Sequence, residues 1–316
     1  MLDEGTVARL YRSLYRIRRA EEEIARIYPS DKIKSPVHLS IGQEAVAVGV
    51  CDVLRADDVV FGTYRGHATY LAKGGSLPAM MAELFGKDTG CARGKGGSMH
   101  LIDVARGVMG MSAVVATTIP QAVGYAYALK LRRSDRVVVS FFGDGAVEEG
   151  AYHESLNFAA LKRLPVLFVC ENNSYAIHSR LLARRHSDNI VEQARAYGMA
   201  AERVEQNDVV AIRERSAAAV GALRAGGGPR FLECLTYRWK EHVGPGDDWT
   251  LGYRSPDEAK PWVERDQVFR IAGSIEAETR RRIEAEADAE IAAAVDFAEK
   301  SPFPDARELA TDMFTG

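Results

Sequence analysis

Gly143-Asp144-Gly145 and Asn172-Asn173, with 26 residues between them, hold the side chains in this sequence best suited to chemistry. A carboxylate and an amide carbonyl are hard oxygen donors, the ligand type selected by Mg²⁺ or Ca²⁺. Glycines beside the acid let backbone N–H groups approach an anion such as a diphosphate. A GDG tripeptide alone is often no more than a turn, so its setting decides the reading. Residues 137–142 (VVVSFF) are a short apolar, β-branched run that reads as a buried strand, and residues 166–170 are another. A helix is expected from about 148 to 164, stopped by Pro165. That spacing suits a helical crossover between parallel strands. Asp144 and Asn173 are therefore expected at the carboxyl ends of neighbouring strands, where open α/β sheets bind ligands.

Other elements must hold this pair in place. Leu10, Leu14, Ile17, Ala20, Ile24 and Ile27 recur at steps of three and four, which predicts an amphipathic helix over 6–28 with Thr6 as its cap. A second helix is expected over 42–55, followed by irregular backbone through the glycine-dense stretch 86–110. Pro120 fits the first turn of a helix running through QAVGYAYALKL. A helix over 208–224, a strand over 231–235 and a long charged helix over 276–300 complete the pattern. The alternation predicts an α/β fold with a mostly parallel sheet flanked by helices. The expected organisation is one domain over 1–316, with an N-terminal helical extension (1–40) and a C-terminal helical region (255–316).

Composition narrows the possibilities. With 47% hydrophobic and 27% charged residues, the chain can bury a large core. A net charge of −3 without a basic stripe argues against nucleic-acid binding. No apolar run approaches the roughly 20 residues of a membrane helix. The charged start lacks the apolar centre of a signal peptide, and its acids argue against a transit peptide. Cys51, Cys91, Cys170 and Cys234 show no metal-site spacing, and Cys170 and Cys234 read as buried thiols. A cytoplasmic location is expected.

The segment FFGDGAVEEGAYHESLNFAALKRLPVLFVCENNSYAI resembles the cofactor and metal motif of alpha subunits of thiamine-diphosphate-dependent 2-oxo acid dehydrogenases, the pyruvate, acetoin and branched-chain family. HLSIGQEAVAVG, TYRGHA, GCARGKGGSMH, ATTIPQAVGYAYALK and the final SPFPDARELATDMF extend the resemblance over nearly the whole chain. It implies the thiamine-diphosphate-binding fold, with thiamine diphosphate and Mg²⁺ as cofactors. Asp144, Asn173 and the Tyr175 carbonyl would hold the metal. Tyr64, Arg65, His242 and the backbone of Gly143, Gly145 and Ala146 would meet the diphosphate, Arg65 with a planar donor fork. Ala113 and Val115 would contact the aminopyrimidine ring. Ser112, Thr117 and Thr118 match a monovalent-cation position of branched-chain relatives, with Thr118 in place of a glutamine.

Among the histidines, the resemblance gives His242 and His38 catalytic roles. His67 is open between structure and function, and His100 reads as structural. Glu148 and Glu149 read as dipole-complementing acids near a helix start. The implied activity is decarboxylation of a 2-oxo acid, pyruvate in the first instance, with acyl transfer to a lipoyl-bearing acyltransferase. A beta subunit in an α₂β₂ heterotetramer is expected to supply the glutamate that activates the cofactor. Residues 239–246 (WKEHVGPG) depart from the family: one histidine is missing, and Val243 replaces a serine that some relatives phosphorylate. This loop keeps a second reading open, a carboligase subunit that passes a two-carbon acyl unit to a carbonyl acceptor.

Overall fold

The computed structural model describes residues 2–311. Residues 312–314, the end of the SPFPDARELATDMF segment, lie outside the described residues. The strands, in chain order, are β1 (Val59–Thr63), β2 (Val108–Ser112), β3 (Val138–Gly143), β4 (Val166–Asn172), β5 (Tyr175–Ala176), β6 (Ser179–Arg180), β7 (Ala200–Val204) and β8 (Arg230–Leu235). Six of them form one sheet in the order β2-β1-β3-β4-β8-β7, with every pairing parallel. β5 and β6 make a separate antiparallel hairpin.

The central strands are apolar throughout because both of their faces are covered. Val139, Phe141, Leu167 and Val169 join one hydrophobic cluster, while Val138, Phe142, Val166, Phe168 and Cys170 join another. Successive side chains on a strand point to opposite faces, so an unbroken apolar run fills two cores. The Glu4–Ile27 helix packs Leu10, Leu14 and Ile17 into the first cluster. The Thr118–Leu131 and Gly150–Leu161 helices line the second. Each such buried side chain contributes about 1.5–3 kcal/mol.

The parallel α/β architecture with helical ends is as the sequence predicts, and details differ for local reasons. The first helix is capped by Asp3, not Thr6: the Asp3 carboxylate accepts from the Thr6 N–H at 2.9 Å and from its hydroxyl at 2.7 Å. The second helix is shorter than 42–55, running Glu44–Cys51. The glycine-dense stretch is not irregular to its end, since β2 begins at Val108. β1 and β7 were not legible: β1 is brief, and β7 (AAERV) lies at the sheet edge with Glu202 exposed.

The glycine stretch from 90 to 97 wraps a carboxylate of the chain itself. Fully buried Glu83 accepts N–H bonds from Ala92, Gly94, Gly96 and Gly97 at 2.7–3.0 Å. A Cβ at Gly90 would stand 2.3 Å from a Glu83 oxygen. Among the described residues, no helix is long and apolar enough to cross a membrane.

Candidate functional site

Chain direction along the sheet reverses between β1 and β3. From β1 the chain moves outward to β2; from β3 it moves the other way to β4. Crossovers diverge there and leave a crevice at the carboxyl ends. A cleft of ≈ 340 Å³ opens at this point, walled by Thr63, Tyr64 and Arg65 after β1 and by Gly143 to Ala146 after β3. Asn173 and Tyr175 wall it after β4. That volume is in the range of small-molecule sites.

The two asparagines divide their work because neighbouring residues face opposite ways. Asn172 donates to Glu233 at 2.7 Å and accepts from the Ser174 N–H at 3.0 Å, which fixes the turn. Asn173 faces the cleft. Its amide is held at both ends: Nδ2 donates to Gln43 Oε1 at 2.9 Å, and Oδ1 accepts from the Tyr175 N–H at 3.1 Å. Gly145 is needed for close approach, since a Cβ there would lie 2.9 Å from Ala176 on the hairpin.

Asp144 is 1% exposed, and its Oδ1 is buried without a hydrogen-bond partner. Its Oδ2 accepts from Arg184 at 2.5 Å. Burial pushes the Asp144 carboxyl up to about 6 even with Arg184 beside it. Burial also raises Glu171, another cleft residue, to about 7, with Arg65 opposing the rise. Arg65 is buried and donates to two backbone carbonyls, Leu39 at 2.7 Å and His242 at 3.2 Å. No carboxylate salt-bridges it among the described residues, and burial lowers it to about 10. A buried guanidinium without an acid partner is a strong attractor for an anion.

His38, Tyr64 and His242 form one aromatic cluster. His38 lies 4.4 Å from the Tyr64 ring and 5.1 Å from the His242 ring, centroid to centroid. Burial, followed by the Arg65 charge, lowers both histidines to about 3, so both rings are neutral at ordinary pH. His38 Nδ1 is buried and unpartnered. The His242 loop is pinned by a buried charge cluster. Asp248 accepts from Arg238 at 2.9 Å, from Arg254 at 2.8 Å and from the Tyr253 hydroxyl. Both arginines also donate to the Lys240 carbonyl at 2.7 Å.

Most residues singled out in the sequence meet here. Tyr64, Arg65, Val115, Gly143, Asp144, Gly145, Ala146, Asn173, Tyr175 and His242 all line the cleft. Ala113 is not on its wall, and His38 stands behind Tyr64 and His242. Ser112 and Thr117 also converge, with Thr117 donating its hydroxyl to the Val114 carbonyl at 2.9 Å and lying 3.1 Å from Ser112 Oγ. His67 is fully buried between Glu21 at 3.0 Å and Ser98 at 2.8 Å, away from the cleft. Glu149 stands at the N-cap of the Gly150–Leu161 helix with Glu148 just before it, the helix-start position expected of both, and both also line the cleft. Sequence reasoning gave Gln43, Glu171 and Arg184 no role. Gln43 sits in a quoted motif, whereas Arg184 lies in LLARRHS, where nothing local marks it.

The residues fit a hard divalent cation. One carboxylate with a bare oxygen stands beside a fixed amide and the Tyr175 backbone. Among the described residues no cluster of three or more His, Cys, Asp or Glu could hold a metal. Mg²⁺ needs no such cluster, being held by one or two carboxylates together with phosphate oxygens and water.

Comparison with known proteins gives a consistent picture. Residues 12–307 match a family model described as "Dehydrogenase E1 component". The chain is 37% identical to the alpha subunit of acetoin:2,6-dichlorophenolindophenol oxidoreductase of Bacillus subtilis (strain 168), over 99% of this chain and 95% of the relative. It is 38% identical to the chloroplastic pyruvate dehydrogenase E1 component subunit alpha-3 of Arabidopsis thaliana, over 96% of this chain and 73% of the relative. The pyruvate dehydrogenase E1 component subunit alpha of Rhizobium meliloti (strain 1021) is 36% identical, over 96% and 88%.

Proposed function

The chain belongs to the dehydrogenase E1 component family, and from that premise we propose that it is the alpha subunit of a thiamine-diphosphate-dependent 2-oxo acid dehydrogenase acting on pyruvate. The observation that carries the site assignment is the bare, buried Asp144 oxygen at the crevice between β1 and β3, in a cleft also lined by an Asn173 amide that Gln43 holds in place. Asp144, Asn173 and the Tyr175 carbonyl hold Mg²⁺. Arg65, Tyr64, His242 and the Gly145 and Ala146 backbone N–H groups take the diphosphate, with Gly143 giving room. Val115, on the cleft wall, supports the aminopyrimidine ring through apolar contact. When bound, the cofactor supplies an electron sink for the carbanion left by decarboxylation.

The chain's own residues orient and protect this chemistry. Neutral His242 hydrogen-bonds or moves a proton near the reacting carbon without adding fixed charge, and neutral His38, packed against its ring, supports it from behind. The Asp248 cluster fixes the backbone of the His242 loop through the Lys240 carbonyl. The chain acts as one unit with a beta subunit in an α₂β₂ assembly, and a lipoyl-bearing acyltransferase accepts the acyl group. The four cysteines are unpaired, which suits a reducing, cytoplasmic setting.

Acetoin is a second reading, favoured by the 99% and 95% mutual coverage with the Bacillus subtilis acetoin enzyme's alpha subunit. Pyruvate less carbon dioxide and acetoin less acetaldehyde leave the same two-carbon unit, so one site could serve either. The test is to co-express the chain with its beta partner and assay pyruvate, branched 2-oxo acids and acetoin with an artificial electron acceptor. Pyruvate-dependent dye reduction that needs both chains is expected. Preference for acetoin selects the second reading, and no activity with any of these substrates rejects both.

A further inference from the structure

Besides Arg65, the cleft wall carries a second arginine, Arg184. It ends the single helical turn Leu181–Arg184, just after the β5–β6 hairpin. Its side chain is 12% exposed and spans two acids of the GDG segment, Asp144 Oδ2 and Glu148 Oε1, each at 2.5 Å. Its Nε donates to the Ser179 carbonyl at 3.3 Å. A Cβ on Gly145 would lie 3.9 Å from Arg184 Nη1, so the guanidinium borders the turn that receives the diphosphate.

Half of the Asp144 carboxylate is thus taken by a protein cation, while the other half is bare. A divalent ion and a guanidinium on one carboxylate repel each other strongly in a buried site. An anion placed between them would offset that repulsion, and a diphosphate would be such an anion. The guanidinium fork suits phosphate oxygens, and Glu148 keeps the side chain near the turn.

Building on the function proposed above, we propose that Arg184 is a further diphosphate-binding residue that changes partner on loading: it neutralises Asp144 in the empty site and turns to the diphosphate once a divalent cation takes that carboxylate. Two effects of opposite sign follow. Removing Arg184 relieves competition for Asp144, so a cation alone binds better. The same change removes a diphosphate contact, so the cofactor binds less well.

The experiment uses the chain assembled with its beta partner, comparing the parent with Arg184→Ala and Arg184→Lys. Mn²⁺ binding without cofactor is read by electron paramagnetic resonance, and thiamine diphosphate binding at saturating Mn²⁺ by calorimetry. Arg184→Ala is expected to bind Mn²⁺ alone more tightly and thiamine diphosphate about tenfold more weakly, the loss of a charge-assisted contact. Arg184→Lys keeps the charge but not the fork, so Mn²⁺ binding stays near the parent's and the cofactor still weakens. If Arg184→Ala fails to assemble, the lysine variant decides by the same pair of readings. Unchanged cofactor affinity in the variants, or parallel weakening of both ligands, overturns the proposal. A parent complex that binds no thiamine diphosphate refutes the proposed function instead.

Discussion

Asp144 pairs one oxygen with Arg184 and leaves the other bare in the interior. A buried acceptor without a donor costs stability, and such groups are uncommon unless a ligand completes them. Gln43 matters for the same reason, since its carbonyl accepts from Asn173 Nδ2 and orients that amide. Gln43→Ala should lower Mg²⁺-dependent cofactor affinity about tenfold, as for other residues that orient metal ligands, and should lower the melting temperature too, since it leaves the buried Asn173 Nδ2 without an acceptor; titration calorimetry and a thermal melt check this. The histidines make a pH prediction. His38 and His242 sit near 3 in the folded chain against an ordinary 6.5, so the unfolded chain takes up protons first. The stability tied to their neutral rings is therefore complete above pH 6.5 and is lost as pH falls toward 3. In His38→Gln, stability should fall less steeply on acidification, by up to one proton's worth, about 1.4 kcal/mol per pH unit. Denaturant melts across that range measure the slope, and a slope equal to the parent's would contradict the assignment.

At the scale of elements, the loops at the carboxyl edge are built on buried polar anchors that periodicity does not announce. Residues 239–246 read as a departure from the family, yet flanking Arg238, Asp248 and Arg254 are among the most buried charged side chains in the described residues. Arg254 also stacks over Trp249 at 4.4 Å. Asp248→Asn leaves two buried guanidinium groups short of charge and should cost about 3–5 kcal/mol locally. The expected readout is faster proteolysis within 239–253 and loss of activity while the sheet persists by circular dichroism. The turn before the Glu44–Cys51 helix is equally constrained. Gly42 has φ +95°, and a Cβ there would stand 2.5 Å from the Tyr237 carbonyl. Gly42→Ala should therefore destabilise by about 1–3 kcal/mol, seen as a lowered melting temperature. The parent glycine is visible in the sequence; its need is not, because Tyr237 is remote along the chain.

For the whole molecule, the proposed assembly predicts that the isolated chain decarboxylates no 2-oxo acid and that adding the beta partner creates activity; turnover by the pure chain would reject this. The sequence by itself determined the β3–helix–β4 unit, because strands buried on both faces must be apolar throughout; the helix between them is shorter than 148–164, running Gly150–Leu161 and ending ahead of Pro165 where Arg163 turns left-handed. It also set Asp144 and Asn173 at one edge, since parallel strands joined by a crossover end on the same side. It marked the first helix through its apolar spacing and the last as a long charged run. Only the tertiary structure decided the rest. The edge strands β2 and β7, half exposed and glycine- or alanine-bearing, carry too little pattern to be read locally. That the glycine stretch wraps Glu83, that His67 is locked between Glu21 and Ser98, and that Arg184 reaches Asp144 all depend on side chains distant in sequence. Periodicity records which face of an element is buried; it does not record which remote partner meets it there.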